Sequence, residues 1–528
     1  MIRTIACLAL AGAVACCQAA SAAEDARQIF DSLYGADIKK VSATPDTKDD
    51  VALAGQLLKA IRSDQAKDQL LVLMCNKAYE LALKDPTGYD VAAAALQELA
   101  EHVPVLRTAC LTKLTDVRLK QYALSPAQLR PEAAEACIDA CVAAAASRAE
   151  NNEYSEAAKL LEKAVSIGGG INSALLPQLR DKQKCLTTME GNIRQLAAMQ
   201  AKIKEWPADH ALRADLVRLC LVDMDNPALA AKYLDDSIPE SMRMHVPPAC
   251  GVIDALAETA CLDLAEWYRS LADGAAGLAK AAMLRRAESY YESYLARHQA
   301  DDLGRTKATL ALTKVQEALA GMESLLGPLP TWVDLLKVIA PLVDPQSNSW
   351  ELADGCLKSR PARGTRMDVP VAPEGSYEVM LRFVRHDGDD GIGLTLPAGA
   401  GAVSVLLSDN ASAYHGMGTI NGKAPDANET TIKPGKLLNG ERYLLGVLVV
   451  TQDKNVEVTV SLNGRKMMRY KGPQEALAAD RGWAPRNSKY LAIGTRRSTV
   501  TFESFRLRVL AGKLGRSPTT QSQPAGTT

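Results

Sequence analysis

The spacing of apolar residues changes once along this chain. From about residue 24 to residue 326, apolar residues recur every three or four positions in segments rich in Ala, Leu, Lys and Glu, as in amphipathic helices. From Trp350 onward, apolar and polar residues alternate, and Gly, Pro, Asn and Asp separate the runs, as in half-buried β-strands. The pattern predicts a helical part followed by an antiparallel β part.

In the helical part, short connections separate the predicted helices. The first long helix is expected to begin at Thr47, since Thr47 and Asp50 resemble a capping box. Short breaks such as Asp85-Pro86-Thr87-Gly88 should make neighbouring helices pack antiparallel, as hairpins. Further helices are expected over residues 70–83, 89–103, 106–124 and 126–150, with a longer one around 175–203.

Three stretches resemble tetratricopeptide repeats, in which small residues let paired helices approach and large residues fill the groove of the next pair. The resemblance implies a solenoid that binds protein partners, although the uneven spacing makes it a degenerate one. The first stretch contains Tyr154, Ala157, Leu161 and Ala164, the second runs from Trp206 to Leu234, and the third from Trp267 to Leu295.

Aromatic pairs in the third stretch have two interpretations. Trp267-Tyr268 and Tyr290-Tyr291 could line a peptide-binding groove, or they could fill the core between helices. Aromatic residues at helical spacing more commonly serve packing, which favours the second interpretation.

In the β part, the hairpin signal is strongest at Asn463-Gly464, because these residues supply the positive φ angles that a tight turn requires. Many short strands without an intervening helix predict a sandwich or a barrel. Strands are expected over residues 364–369, 376–384, 391–396, 402–407, 442–451, 456–462, 465–470, 490–494 and 499–509.

Three segments of the β part carry a family resemblance: the opening Trp350-Glu351-Leu352, the strand Ser376–Phe383 and the closing Phe502–Leu507. They are similar to the concanavalin A-like jelly rolls, the laminin-G-like and 3-keto-disaccharide-hydrolase-type group. The whole chain resembles secreted bacterial proteins that join a tetratricopeptide-like arm to such a module. The implied fold class is multidomain, α then β: a helical solenoid followed by an antiparallel concanavalin A-like β-sandwich. These motifs define turns, so they specify architecture better than chemistry.

The N-terminus has the order of an export signal: Arg3, an apolar stretch over residues 5–17, and Ala20-Ser21-Ala22-Ala23. The apolar stretch is too short to span a bilayer, and a lipid anchor at Cys16 is the rival interpretation. We therefore expect an exported protein, periplasmic or at the cell surface. The expected division is a signal peptide at 1–23, an arm at 24–326, a linker at 327–346, a sandwich at 347–512 and a disordered tail at 513–528.

Composition narrows the partners. The formal net charge is −1, so no overall field favours nucleic acid or an anionic membrane.

Of the 12 cysteines, most beyond the signal lie in apolar helical stretches, where core packing is expected. Cys137 and Cys141 share a helix face, but nothing nearby completes a zinc site. The sequence allows a Cys250–Cys261 disulfide without deciding whether it forms.

We identify no catalytic residues. Glucanases of the resembling fold carry a carboxylate trio along one strand, and this chain has no such run. Its 6 histidines are scattered, and no phosphate-binding glycine motif follows a strand. Asp387, Asp389 and Asp390 could form a calcium loop or an ordinary solvated turn, and we expect no other cofactor.

A sugar site would need an aromatic platform beside amide and carboxylate groups. Trp483, in a loop, could be a binding aromatic or a lid over the core. The candidates are Tyr414, His415, Asn421, Asp426, Asn428 and Trp483.

The leading hypothesis is an exported, non-catalytic binding or scaffold protein, with an arm for protein partners and a sandwich for a glycan or cell surface. One alternative is a glycoside-hydrolase-like enzyme acting on a (keto-)disaccharide or glucan through an unrecognised site. Another is a purely architectural envelope protein. A cluster of carboxylates on the concave sheet face would favour the enzyme, whereas small and apolar residues there would favour the other two.

Overall fold

The computed structural model describes residues 24–63, 68–322, 327–340 and 349–516. Helices occupy the N-terminal part and antiparallel sheets the C-terminal part, which confirms the predicted α-then-β fold class. The predicted signal peptide, its Cys16 and residues 517–528 of the predicted tail lie outside the described residues. In the described parts of the chain, no helix is both long enough and apolar enough to cross a bilayer.

The arm consists mainly of consecutive helices that pack against their neighbours in sequence. Their positions agree with the periodicity, including the long helix after residue 175. The helices are α1 (24–42), α2 (Thr47–Arg62), α3 (Asp68–Ala82), α4 (Tyr89–His102), α5 (Arg107–Leu124), α6 (Arg130–Glu150), α7 (Tyr154–Ile171), α8 (Leu176–Glu205), α9 (His210–Arg218), α10 (Pro227–Ala231), α11 (Glu240–Ala249), α12 (Glu258–Asp273), α13 (Gly277–Arg297) and α14 (Leu303–Ala320).

Helix α2 begins differently from the sequence-based expectation. Its N-cap is Asp46, whose carboxylate accepts a hydrogen bond from the backbone N–H of Lys48 at 3.0 Å. Asp50, expected to form a capping box with Thr47, is instead buried and pairs with Lys84 at 2.8 Å. The predicted capping box was therefore wrong, although the helix begins at the predicted residue.

The arm has two large apolar cores. The first is built from α1 to α7, and the second from the end of α8 to α14. Trp267, Tyr268, Tyr290 and Tyr291 are buried in the second core, so the packing interpretation of these aromatic pairs is the correct one. The nine cysteines in the described chain are free thiols, so the Cys250–Cys261 disulfide does not form in this structure.

The β part is a sandwich of two antiparallel sheets, and every predicted strand overlaps an observed one. The strands are β1 (Val333–Asp334), β2 (Trp350–Ala353), β3 (Cys356–Ser359), β4 (Thr365–Val369), β5 (Val371–Asp387), β6 (Ile392–Ala398), β7 (Gly401–Ser408), β8 (Tyr414–Met417), β9 (Thr419–Ile420), β10 (Arg442–Gln452), β11 (Asn455–Leu462), β12 (Arg465–Pro473), β13 (Leu477–Ala478), β14 (Leu491–Thr495) and β15 (Thr499–Arg516).

The larger sheet has the order β12-β11-β10-β5-β15-β3-β2, with β1 also paired to β15. The five-stranded sheet has the order β4-β14-β6-β7-β8, and β9 pairs separately with β13. Alternate residues of both sheets, such as Phe383, Val447, Leu394 and Val405, share one core between them. At the predicted hairpin, Asn463 and Gly464 both have positive φ, 52° and 76°.

Two predicted boundaries of the sandwich were wrong. The predicted linker at 327–346 contains β1 and a short helix, α15 (Leu335–Ile339), whose apolar residues belong to the sandwich core. The sandwich therefore begins at Val333 rather than near residue 347. At the other end, β15 stays paired with β5 as far as Arg516, so the strand enters the predicted tail.

The outer face of the larger sheet rests on the arm, and Arg508 lies at the centre of this contact. Its side chain is 0% exposed and stands 2.8 Å from Glu135 of α6. Its guanidinium also donates a hydrogen bond to Glu378, the residue opposite it on β5. A buried guanidinium requires such partners, because removing it from water is otherwise very costly.

Other contacts surround this ion pair. Glu132 of α6 accepts hydrogen bonds from Arg382 at 2.8 Å and Arg506 at 3.0 Å. The ring of Trp332 lies 4.4 Å from the Arg508 guanidinium, a cation–π distance. On the apolar side, Leu510 packs against a cluster from α6, α7 and α8. The arm and the larger sheet thus share one continuous, partly charged interface.

We predict that Arg508→Met lowers the free energy of unfolding by about 3–5 kcal/mol, because it leaves buried carboxylates without their cation. Urea denaturation followed by circular dichroism measures this change. The control is Lys513→Met on the same strand, whose side chain is 76% exposed and pairs with Glu374 at the surface. That pair should contribute at most about 1 kcal/mol. Equal effects of the two substitutions would contradict a buried, energetically coupled interface.

The interface also predicts a pH dependence. Burial raises the pKa of Asp139 on α6 to about 6, and burial likewise raises the pKa of Glu378 above its usual range. Both groups bind protons more tightly in the folded chain than in the unfolded one. Their contribution to stability is therefore complete at low pH and is lost as pH rises from the unfolded pKa, near 4, through the folded pKa.

We accordingly expect the free energy of unfolding to fall between about pH 4.5 and pH 7. The substitution Asp139→Asn should make this fall with pH smaller, so that the slope of the free energy of unfolding against pH is reduced. Denaturant titrations at several pH values measure it. Asp263→Asn, at an exposed carboxylate on α12, is the control. An unchanged slope in the Asp139 variant would rule out this residue as the proton-binding group.

Candidate functional site

The five-stranded sheet turns a face of small residues away from the core. The register places Gly494, Gly393 and Leu406 side by side on this face, with Thr395 and Ser404 in the next row. We call these five residues the glycine face. None of these five residues is a carboxylate, and the register places Asp368 of β4 in the row of Thr395, on the far side of Ala492.

Trp483 covers the glycine face. A Cβ atom added to Gly393 would lie 2.2 Å from the Trp483 ring, and one added to Gly494 would lie 3.0 Å from it. The ring therefore rests directly on backbone that only glycine leaves accessible. Trp483 is 2% exposed, so of its two predicted roles the structure supports the lid.

Hydroxyl groups of the sheet hold the loop that carries Trp483. Thr395 Oγ1 donates to the Trp483 carbonyl at 2.9 Å, and Ser404 Oγ accepts from the Asp480 N–H at 3.1 Å. Within the loop, the Asp480 carboxylate accepts from the Gly482 N–H at 2.9 Å. The lid is thus tied to the sheet at both ends rather than resting loosely on it.

Beside the lid lies a polar group that we call the Asp409 cluster: Asp409, Tyr414, Asp480, Trp483 and Arg496. The Tyr414 hydroxyl donates to Asp409 at 2.8 Å, and an Arg496 nitrogen lies 3.4 Å from the other oxygen of Asp409. The Arg496 guanidinium lies 4.5 Å from the Trp483 ring centroid and 4.0 Å from Asp480. The pKa of the Tyr414 hydroxyl is raised, mainly because the group is buried and secondly because it is hydrogen-bonded to the Asp409 carboxylate.

The cluster combines a fixed interior with a solvent-facing edge. Asp409 is buried, whereas the side chains of Arg496 and Asp480 are 31% and 30% exposed. The exposed Arg496 guanidinium offers hydrogen-bond donors, and the exposed Asp480 carboxylate beside it offers acceptors. Such an arrangement can bind a ligand rich in hydroxyl groups.

An unusual turn forms one border of the cluster. Ser408, Asn410, Ala411 and Ser412 all have positive φ, between 53° and 64°, in a segment without glycine. Side chains other than glycine adopt this conformation at a cost, and such strain collects at functional sites. Asn410 and Ala411 are exposed at the tip of the turn.

Buried Arg385 on β5 anchors this turn from below. It donates to Ser408 Oγ at 2.8 Å, to the Leu437 carbonyl at 2.5 Å and to Asn439 Oδ1 at 2.6 Å.

Burial, and secondly the Arg385 charge, lower the pKa of His415 to about 4. His415 is therefore neutral at pH 7, and its Nδ1 accepts the Ser408 N–H at 3.1 Å. It has a structural role in this conformation.

Of the six predicted ligand-binding residues, Tyr414, His415, Asn428 and Trp483 are buried, whereas Asn421 and Asp426 are exposed. Asn428 is occupied by backbone, since its amide donates to the carbonyls of Met417 and Gly418. The structure brings Tyr414 and Trp483 together with Leu406 in one small cluster. The exposed groups beside them are mostly residues that the sequence did not single out.

Asp409, Asn410 and Arg496 were missed because local sequence gives little sign of them. Asp409-Asn410 is typical of an ordinary turn, and Arg496 follows a strand end like many solvated arginines. Only the pairing of β7 with β6, and of β6 with β14, brings these positions to one place.

The three predicted metal ligands do not form a site in this conformation. Asp387 and Asp389 are exposed, while the Asp390 carboxylate accepts from Gly391 and Ala411 N–H groups at 2.8 and 3.1 Å and pairs with Arg497. Although burial opposes it, these contacts lower the pKa of Asp390. Among the described residues, no group of three or more Asp, Glu, His or Cys side chains is placed to hold a metal ion.

Comparison with known proteins finds similarity only at the level of structure. No family model matches the chain, and no curated protein matches it. A carbohydrate-binding module CBM66 from Bacillus subtilis aligns over 34% of this chain and 94% of its own, with 9% identity and a TM-score of 0.21.

Two lectins align in the same way. Peanut lectin, in a complex with a 9-residue peptide, covers 35% of this chain and 94% of its own, with 12% identity and a TM-score of 0.22. A legume lectin-like domain from Entamoeba histolytica covers 31% and 87%, with 9% identity and a TM-score of 0.20. At these values the likeness identifies no ligand for this chain.

We predict that Gly393→Ala displaces Trp483, because the new methyl group would overlap the ring. The expected loss of stability is about 1–3 kcal/mol, typical of overpacking. Thermal unfolding and tryptophan fluorescence measure it.

Gly364→Ala is the matched control, since its added Cβ would lie 3.8 Å from its nearest neighbour and its φ is not positive. If Gly393→Ala were as stable as this control, with an unchanged emission spectrum, the lid would not be packed as described.

Proposed function

We propose that this protein is an exported, non-catalytic binding protein whose sandwich binds a glycan at the Asp409 cluster. One observation carries the proposal: the arm covers the outer face of the larger sheet, whereas the opposite sheet presents Arg496 and Asp480 to solvent on a rigid base. Binding by the sandwich would therefore use the side of the five-stranded sheet.

The chemistry of the cluster favours a neutral, hydroxyl-rich glycan. Arg496 supplies donors, Asp480 supplies acceptors, and the exposed amide of Asn410 beside Asp409 supplies both. The positive charge of Arg496 is already balanced by two carboxylates within 4.0 Å, so an anionic sugar gains little there. Both faces of the Trp483 ring are occupied, one by glycines and one by Arg496, so sugar stacking on this ring is not part of the proposal.

The carboxylates nearest to the glycine face are engaged by other groups: Asp368 accepts from the Arg366 side chain and the Arg486 N–H, and Asp480 lies beside Arg496. This supports binding rather than hydrolysis, since glycoside hydrolysis normally uses a pair of carboxyl groups flanking the bond. Asp409 is hydrogen-bonded to Tyr414 and paired with Arg496, which occupies both of its oxygens. The proposal therefore assigns it a positioning role.

The rest of the chain has a scaffold role in this proposal. The arm would dock a protein partner, and the buried interface around Arg508 would hold its orientation to the sandwich. Export to the periplasm or cell surface rests on the signal-like residues 1–23, and mass spectrometry of the mature N-terminus, expected near residue 24, tests it.

The binding proposal predicts that an array of neutral oligosaccharides retains the protein, and that Arg496→Gln weakens retention by about tenfold, as for loss of a charge-assisted hydrogen bond. Asn410→Gly should also weaken it, and glycine accommodates the positive φ of that position, 53°. Arg465→Gln removes an exposed arginine from β12 of the other sheet and serves as the control.

Circular dichroism should show all three variants folded. Equal retention of wild type and Arg496→Gln would place the glycan elsewhere, and absence of any retained glycan would contradict binding. Release of sugar from any array member by the purified protein would contradict a non-catalytic role.

A further inference from the structure

A cavity of about 460 Å³ lies in the second half of the arm, away from the Asp409 cluster. One wall is the segment that follows α11, including Val252 and Ile253, and another is a face of α13. Clefts that bind small molecules in proteins commonly measure about 300–1,000 Å³. The α13 wall consists of Ala282, Arg285, Arg286, Ser289 and Tyr290, whose spacing places them on one side of the helix.

The third wall is Asp225, in a distorted stretch of backbone. Helix α9 runs into a π-helical turn over Leu219–Asp223, and Asp225 follows with a positive φ of 49°. A π-helical turn is rare and frequently occurs at functional sites, whereas a positive φ is an ordinary conformation for an Asp in a turn. The apolar residues of the π turn are buried in the second core, so Asp225 is held in place from behind.

The two arginines of the cavity differ in their surroundings. Arg286 is paired with the Asp225 carboxylate, donates to the Asp225 carbonyl at 3.1 Å, and lies 5.6 Å from the Tyr268 ring. Arg285 is exposed, and within the described chain no carboxylate stands at ion-pair distance from it. The net charge that the cavity presents to a ligand is therefore that of Arg285.

The positive charge of Arg285, which lines the cavity, attracts an anionic group. Guanidinium groups hold carboxylates particularly well, because their planar donors match the two oxygens.

The segment that follows α11 gives the cavity an apolar wall, and hydrogen bonds hold this segment to α13. Val252 is 71% exposed at the rim, beside Ile253 and Ala282. Arg297 of α13 donates to the Leu256 and Ile253 carbonyls at 2.6 and 3.1 Å, which fixes this wall. An apolar wall beside a cation matches a ligand with both an apolar part and a negative group.

A buried hydroxyl group lies on the ring that packs against Tyr290 of the cavity wall. Tyr290 lines the cavity and stacks on Tyr268, with ring centroids 5.7 Å apart. The Tyr268 hydroxyl is buried, and no hydrogen-bond partner for it is found in the described residues. Buried hydroxyls are normally satisfied, so an unsatisfied one near a cavity indicates room for a bound water or a ligand group.

The geometry points to a binding site for a small amphipathic carboxylate, an organic acid whose carboxylate pairs with Arg285 while its apolar part packs on Val252, Ile253 and Ala282. This site does not depend on glycan binding by the sandwich, and the two can be tested separately.

Isothermal titration calorimetry of the full chain with sodium hexanoate tests the site. Hexanoate should bind more tightly than acetate, which lacks the apolar part, and hexanamide, which lacks the charge, should not bind. Arg285→Gln should weaken hexanoate binding about tenfold or more. Ala282→Leu, which fills the cavity, should abolish it.

Lys307→Gln removes an exposed cation from α14 outside the cavity and should leave hexanoate binding unchanged. Circular dichroism confirms that each variant is folded. The proposal is overturned if hexanoate does not bind up to its solubility limit, if Arg285→Gln binds it as wild type does, or if inorganic phosphate binds and hexanoate does not.

Discussion

The placement of Arg508 constrains the whole molecule. Its guanidinium is withdrawn from water and has Glu378 from its own sheet and Glu135 from the arm as counter-ions. Separating the two parts would leave Glu135 without its cation and would expose the apolar surface around Leu510. The orientation of the sandwich on the arm follows from this requirement, and it decides which sheet faces solvent.

On the opposite sheet, packing rather than charge determines the shape. A tryptophan can lie flat on a β-sheet only where several neighbouring side chains are missing, and Gly393 and Gly494 provide that space. The lid in turn positions Arg496, whose guanidinium rests on the other side of the ring. The polar groups that face solvent are therefore fixed by an apolar contact beneath them.

Local pattern was sufficient to predict most of the fold. Alternation and helical spacing are properties of adjacent residues, so strands such as β11 and helices such as α4 were predicted closely. Elements too short for a pattern, such as β1 and β8, were not predicted as such, and the segment that contains α15 was assigned to the linker, so the expected start of the sandwich was too late. The candidate site was largely unpredictable, because it depends on contacts between distant positions. Glu132 and Arg506 meet although 374 positions separate them, and Trp483 is a lid only because of glycines on two other strands.

The position of β15 in the sequence has a consequence for biosynthesis. This strand lies in the middle of the larger sheet, between β5 and β3, yet it follows all the other described strands in the sequence and so leaves the ribosome after them. Until it arrives, β5 has an open edge, and the acidic surface of α6 lacks the arginines that cover it. Incomplete chains would therefore expose both an unpaired strand and an uncompensated charge, features that make nascent proteins dependent on chaperones and prone to aggregation.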